Sequence, residues 1–169
     1  MASQRQLITR GLQTWLQGVI DPNTSATLYQ YVKRGHILDP GTISGLWADV
    51  VYFQGKSGPA GSGGNMVGWR IEDNPIWVIE TGYIYELDTT VAIDAVMNAA
   101  DILLPAIHSH YLIPNPDNPS VQIGSVYSVL ESEYNDRGMP LRYPNGHSYY
   151  VWSTYVTVKQ QYNVTLVTP

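Results

Sequence analysis

The sequence predicts an α+β fold: a mostly antiparallel or mixed sheet of four to five strands with two main helices packed on one face. Two stretches, 7–19 and 92–103, place apolar residues at helical spacing, whereas 76–85 is rich in β-branched and aromatic residues, as strands are. Each helix has one apolar stripe, which one face of a sheet can cover. With 169 residues and 44% hydrophobic content, we expect a single domain over 1–169.

The first half of the chain begins with an amphipathic helix over 7–19, with Ser3 as N-cap and an end near Gly18. Residues 24–45 fit a short strand or another helical turn, and the sequence leaves both open. The run WADVVYFQ at 47–54 predicts a strand. A flexible glycine-rich loop is predicted at about 55–68, and its part 55–65 is expected to be loop only.

The second half begins with a central strand at 76–85, which is apolar on both faces. A second helix follows the caps at 88–90, and Pro105 predicts that it ends or kinks there. The segment PNPDNP at 114–119 predicts a loop. Residues 121–133, and then 148 to about 167, predict two long strands of an antiparallel hairpin.

Composition excludes several classes of function. The chain has no cysteine, which removes disulfides and thiolate chemistry. No Lys or Arg lies between Arg70 and Arg137, although eleven acidic residues do, so tight binding to nucleic acid is not expected. We find no apolar stretch that approaches a membrane span and no signal peptide, and we expect a soluble, unsecreted protein.

Motifs for chemistry are weak, and we predict no catalytic, cofactor-binding or metal-binding residues. Residues 55–57 (GKS) resemble the end of a phosphate loop, but position 50 is Val where that motif needs glycine. His108 and His110 could in principle hold a metal with Asp117 or His36, but helix-end contacts explain them more simply. The carboxylates at 131 and 133 fit an exposed strand edge better than an acid–base pair.

The order of these elements resembles the tail terminator family of long-tailed bacteriophages. The resemblance rests on an opening amphipathic helix at 7–19, a strand at 47–54 and a loop of variable length. A strand running into a helix follows at 77–105, and the long strand at 148–162 lies near the end of the chain. Residues 24–45, the glycine loop and the three-proline segment depart from the family pattern.

The resemblance implies a structural virion protein and no enzyme. Made in the host cytoplasm, it would form a hexameric ring that caps the tail tube, stops its polymerisation and joins the tail to the head-side connector or neck protein. DNA would pass through without tight binding, and no cofactor or membrane would be involved. The alternatives are another neck, connector or tail-tube component, or a small acidic enzyme. We expect loops to contact neighbouring subunits through Lys56, Gly61, Asn65, Arg137, Met139 and Arg142.

Overall fold

The structure is a computed structural model, and it describes residues 4–37, 43–54, 57–59, 71–73, 75–85, 89–109, 112–133, 141–142, 146 and 148–160. Two helices and nine strands follow one another along these residues. They are α1 (Gln4–Gln17), β1 (Tyr31–Arg34), β2 (Trp47–Gln54), β3 (Ser57–Pro59), β4 (Ile71–Asp73), β5 (Ile76–Tyr85), α2 (Thr89–Ser109), β6 (Leu112–Asn115), β7 (Asn118–Glu133), β8 (Leu141–Arg142) and β9 (Ser148–Gln160).

One mixed sheet organises the fold. Its strand order is β1-β2-β5-β9-β7-β6, and β8 also pairs with β9. Only β1 and β2 run parallel among the described pairs of this sheet, so the predicted α+β class with a mostly antiparallel sheet is confirmed. The sheet has seven strands, more than the four to five expected, because the short strands β1, β6 and β8 add to it.

Both helices pack on the same face of the sheet, as predicted. Val50, Ile79 and Val156 point from neighbouring strands into one buried cluster with Leu12 of α1 and Leu103 of α2. This face therefore carries the main hydrophobic core. Since successive side chains of a strand alternate in direction, the residues between these core positions project from the opposite face.

Hydrogen bonds fix α1 on the sheet at separate points. The indole Nε1 of Trp77 donates to Thr9 Oγ1 at 2.9 Å, and Gln13 Nε2 donates to the carbonyl oxygen of Val32 at 3.1 Å. The helix also lies very close to β6, because a Cβ added at Gly11 would come within 2.8 Å of Ile113. Glycine is thus required at the point where α1 crosses β6.

Two expectations based on proline change with the structure. Of the two outcomes expected at Pro105, an end of the helix is wrong: α2 continues to Ser109, because Leu103 and Ile107 on either side of the proline remain buried in the core. The segment 114–119, predicted to be a loop, is a tight hairpin instead: its first two residues end β6, two residues turn, and β7 begins. Asp117 N donates to Asn115 Oδ1 at 2.9 Å, a local bond that stabilises this turn.

Other expectations are resolved in part. The undecided segment contains the short strand β1, which pairs with β2. The predicted loop at 55–65 includes β3, which pairs with β4 in a three-residue antiparallel ladder, since backbone groups alone suffice for so short a pairing. The strands β2 and β5 have the predicted bounds. Strand β9 is described to Gln160, and the predicted continuation to about 167 lies outside the described residues.

Candidate functional site

A row of polar residues crosses the sheet on the face opposite the helices. Lys33 of β1 is in register with Asp49 of β2, Asp49 with Glu80 of β5, and Glu80 with Ser153 of β9. Residues in register on adjacent strands project from the same face. We call these four residues the polar row. Within it Asp49 is 1%, Glu80 8% and Ser153 0% exposed, although ionised groups are rarely buried without a partner.

The connection after β1 brings an imidazole onto this row. Gly35 adopts a positive φ of 77° directly after β1, a conformation that glycine permits without strain, and its N–H donates to Val50 O. The chain then turns over β2, where Ile37 N donates to Asp49 Oδ2 at 2.8 Å. His36 Nδ1 consequently lies 3.2 Å from Glu80 Oε2.

Apolar packing holds this connection in place. Ile37 is buried against Trp47 and Val151, two residues on the same face as the polar row. Trp47 in turn packs edge-on against Tyr149, with ring centroids 6.2 Å apart. The position of His36 is therefore fixed by the buried side chain of Ile37 and by the hydrogen bond from Ile37 N to Asp49, in addition to the contact of the imidazole with Glu80.

Burial changes the protonation of Asp49. Burial, together with the nearby charge of Glu80 and a hydrogen bond shared with its side chain, raises the pKa of the Asp49 carboxyl group to about 8, although the N–H of Ile37 and the charge of Lys33 act in the opposite direction. At neutral pH the pair thus favours holding a proton over carrying two negative charges. Asp49 Oδ1 and Ser153 Oγ accept or donate no hydrogen bond among the residues that the structure describes.

The cluster can hold a cation more readily than it can transform a substrate. The available ligand atoms of His36, Asp49 and Glu80 all lie within 4.8 Å of one another. The two carboxylates are covered, whereas the His36 side chain is 57% exposed and forms the open side. A substrate would have to reach the carboxylates past this imidazole, but an ion needs only the space between the three side chains.

No protein-family model matches this chain, and no curated protein matches it.

The residues that the sequence singled out do not lie in the polar row, or they are not among the described residues. Lys56, Gly61, Asn65, Arg137 and Met139 are outside the described residues, as is His110. Arg142 lies in β8, in register with Ser148. Strand β7 contains Glu131 and Glu133, in register with Thr154 and Trp152.

The sequence predicts no metal site, and the described residues do not support the weaker alternative in which His108 and His110 hold a metal with Asp117 or His36. Asp117 forms an ion pair with Arg10, so its carboxylate is engaged at the β6–β7 turn. His108 is exposed in the last turn of α2. His36 lies instead beside Glu80 and Asp49, two residues that the sequence did not connect with it. The available signal was a charged residue in the middle of each of two otherwise apolar strands, WADVVYFQ and IWVIETGYIY.

A second feature concerns the two edges of the main sheet. At one edge, Tyr31 of β1 is exposed, and at the other, Leu112 of β6 is exposed, as is Val121 in the adjoining β7. In the part of the chain that the structure describes, no strand pairs with the outer side of β1 or β6. The charged Lys33 and the proline at 114 discourage continuous backbone pairing there, so contacts at these edges would be made by side chains.

The described crevice on the helix side is apolar. It lies between α1, the end of α2 and β6. A catalytic pocket needs convergent polar groups, and this crevice is lined by glycine, proline, tryptophan and aliphatic residues. Its lining consists of Gly11, Leu12, Trp15, Ile79, Ile107, Leu112, Ile113, Pro114, Val126 and Val156.

Helix α2 passes the length and composition test for a membrane span over Thr90–Ser109, contrary to the expectation from sequence. A core helix can pass the same test. Here Val96, Ala99 and Leu103 are buried against the sheet, and the exposed side carries Asp94 and Asp101. One side of the helix therefore packs against the sheet.

Proposed function

We propose that this chain is a structural virion protein, a phage tail terminator that forms a hexameric ring and caps the tail tube. The observation that carries the proposal is the pair of sheet edges at β1 and β6, which pair with no further strand among the described residues and each expose an apolar side chain, Tyr31 on β1 and Leu112 on β6. Two different edges with exposed apolar side chains, one at each end of the sheet, suit an assembly in which every copy contacts two neighbours.

Symmetry explains why two edges are useful. A twofold dimer buries the same patch on both subunits, whereas a ring buries one patch of each subunit against a different patch of the next. The edges at β1 and β6 differ in sequence and lie at opposite ends of the strand order. Side chains with a polar tip, such as that of Tyr31, are favoured anchors at such interfaces.

The order of elements supports the same proposal. An amphipathic helix, a strand, a strand running into a second helix and a long antiparallel strand pair occur in the order that resembles the tail terminator family. Both helices cover one sheet face. In the proposed virion, one side of the ring binds the tail tube protein and the other binds the head-side connector or neck protein.

Charge is compatible with passage of DNA through the ring. Two acidic residues of the central sequence contribute little to the charge of the surface: Glu80 is buried in the polar row, and Asp117 is paired with Arg10. The exposed carboxylates of Asp94 and Asp101 remain on the outer side of α2. A surface of this kind repels phosphates and would let DNA pass without tight binding.

Complementation between edge variants tests the proposal. Tyr31→Lys and Leu112→Lys each place a charge at one edge and should each prevent ring closure. The Tyr31→Lys variant keeps its β6 edge, and the Leu112→Lys variant keeps its β1 edge. If the β1 edge of one subunit meets the β6 edge of the next, these two unaltered edges can still form one interface in an equimolar mixture. We expect heterodimers in the mixture and only monomers in each separate sample, measured by light scattering on the purified full-length protein with tail tubes absent and present.

The matched control is Met97→Lys, which changes an exposed apolar residue on α2 outside both edges. It should assemble as the unaltered chain does. Rings formed by both edge variants would contradict the proposal, and assembly that is unaffected at the edges but requires other surfaces would favour a different neck or connector component. A monomer that hydrolyses a substrate and does not bind tail tubes would favour the small acidic enzyme.

A further inference from the structure

We propose that His36, Asp49 and Glu80 form a binding site for one divalent cation of the Zn²⁺ type. The ion would connect the β1–β2 segment to the centre of the sheet. This inference is independent of the proposed assembly, because it rests on the packing within one subunit.

The donor set fits the ion. An imidazole nitrogen and two carboxylate oxygens are common zinc ligands, and a fourth position is often taken by water. All three donor atoms lie within 4.8 Å of one another, so small rotations of the side chains bring them to coordination distance. The exposed side at His36 leaves room for a water molecule in the fourth position.

Charge provides the driving force. Asp49 is 1% and Glu80 8% exposed, and in an interior of low dielectric constant a negative charge on both neighbouring carboxylates is unfavourable unless a cation lies between them. A dication neutralises both. Lys33 stands beside Asp49 at the end of the row, but it is exposed and therefore compensates only weakly.

A second observation points to a ligand independently of the acidic pair. Ser153 is fully buried on the same face, directly in register with Glu80, and its Oγ has no hydrogen-bond partner among the described residues. A carboxylate fixed by an ion could accept a hydrogen bond from the Ser153 hydroxyl, as groups around metal ligands do.

The surrounding fold preorganises two of the three ligands. The N–H of Ile37 holds one oxygen of Asp49 and leaves the other available. Glu80 lies in the central strand β5, whose neighbours on both sides fix its backbone. The buried Ile37 limits the movement of the adjacent His36. We therefore expect little ordering cost when the ion binds.

Titration of the metal-depleted full-length protein with ZnCl₂, followed by calorimetry, tests the site. We expect one Zn²⁺ per chain, with a rise in Tm of roughly 5–10 °C at a hundredfold excess of free ion over Kd. Asp49→Asn and Glu80→Gln keep the shape of the side chains and should weaken binding by about a hundredfold or more. Mg²⁺, which prefers an all-oxygen octahedral shell, should bind more weakly than Zn²⁺.

His36→Gln provides a variant whose folding is not in question, because the His36 side chain is largely exposed. It should lose Zn²⁺ affinity and the Zn²⁺-induced rise in Tm while keeping the Tm of the metal-depleted protein. His108→Gln, an exposed histidine at the end of α2, is the matched control and should bind Zn²⁺ as the unaltered chain does. Absence of stoichiometric binding, or binding unchanged in His36→Gln and Asp49→Asn, would overturn the proposal.

Discussion

The indole ring of Trp47 lies directly on Gly82, its cross-strand partner, so that a methyl group at position 82 would overlap the ring. Trp47 is fully buried and packs edge-on against Tyr149. Trp47 can therefore occupy this position on β2 only because residue 82 of the central strand β5 is glycine. The tryptophan in turn packs against the apolar neighbours of the polar row.

Gly82→Ala should destabilise the protein by about 1–3 kcal/mol, because the added methyl group forces a packed ring to move. The measurement is the free energy of unfolding in urea. Gly18→Ala is a matched control, since its added Cβ meets only ordinary contacts after α1. If Gly82→Ala unfolds at the same urea concentration as the unaltered chain, the close packing of Trp47 is refuted.

Tyr29→Phe should cost about 1–3 kcal/mol, because the buried hydroxyl of Thr81 loses its partner. In the structure Tyr29 OH and Thr81 Oγ1 are 3.0 Å apart. Urea unfolding measures the loss, and Tyr31→Phe, an exposed tyrosine, is the control. Equal losses in the two variants would argue against a buried hydrogen bond.

The same tyrosine predicts a dependence of stability on pH. Burial raises the pKa of Tyr29 to about 12, whereas the pKa of tyrosine in an unfolded chain is about 10. The unfolded state releases this proton first, so the contribution to stability is complete below about pH 10 and is lost as the pH rises towards 12. Tyr29→Phe should show a smaller fall in stability across this window, and identical falls would contradict the assignment.

Arg10→Gln should raise the pKa of Asp117 towards its ordinary value. The hydrogen bond from the Arg10 guanidinium holds the pKa of this carboxyl group below its usual range, and the pair links α1 to the β6–β7 turn. Its contribution is present above the unfolded pKa and is lost as the pH falls through the folded one. Carboxyl NMR titration measures the shift, and Arg34→Gln, on β1, should leave Asp117 unchanged.

The effect of Arg10→Gln on stability should be small, because both side chains are partly exposed and solvent screens the pair. A large loss of stability without a change in the pKa of Asp117 would mean that Arg10 acts through packing along α1 instead.

The larger elements of the fold could be predicted from sequence because they are long and strongly patterned. The apolar stripe of α1 and the β-branched run of β5 each extend over several residues. The bounds of β5 match the prediction, whereas α1 spans Gln4–Gln17 and not the predicted 7–19. The short strands β1, β6 and β8 have two to four residues, too few for a periodic signal. The passage of α2 through Pro105 depends on buried neighbours that local rules for proline do not include.

The polar row could be predicted only in part. A carboxylate in an apolar strand marks both Asp49 and Glu80 as unusual. Their pairing depends on the register between β2 and β5, and His36 joins them from 44 residues away through a turn at Gly35. Distance along the chain therefore conceals a cluster that strand register brings together.

The mass of the purified chain, alone and with tail tubes, tests the central claim most directly. Light scattering should give the mass of six 18.8 kDa chains, either in solution or after the chain binds to tubes, and electron microscopy should show one ring at a single end of each tube. Tubes should also stop growing when the chain is added during their polymerisation. A stable monomer that leaves the tube ends bare and their growth unchanged would contradict the account.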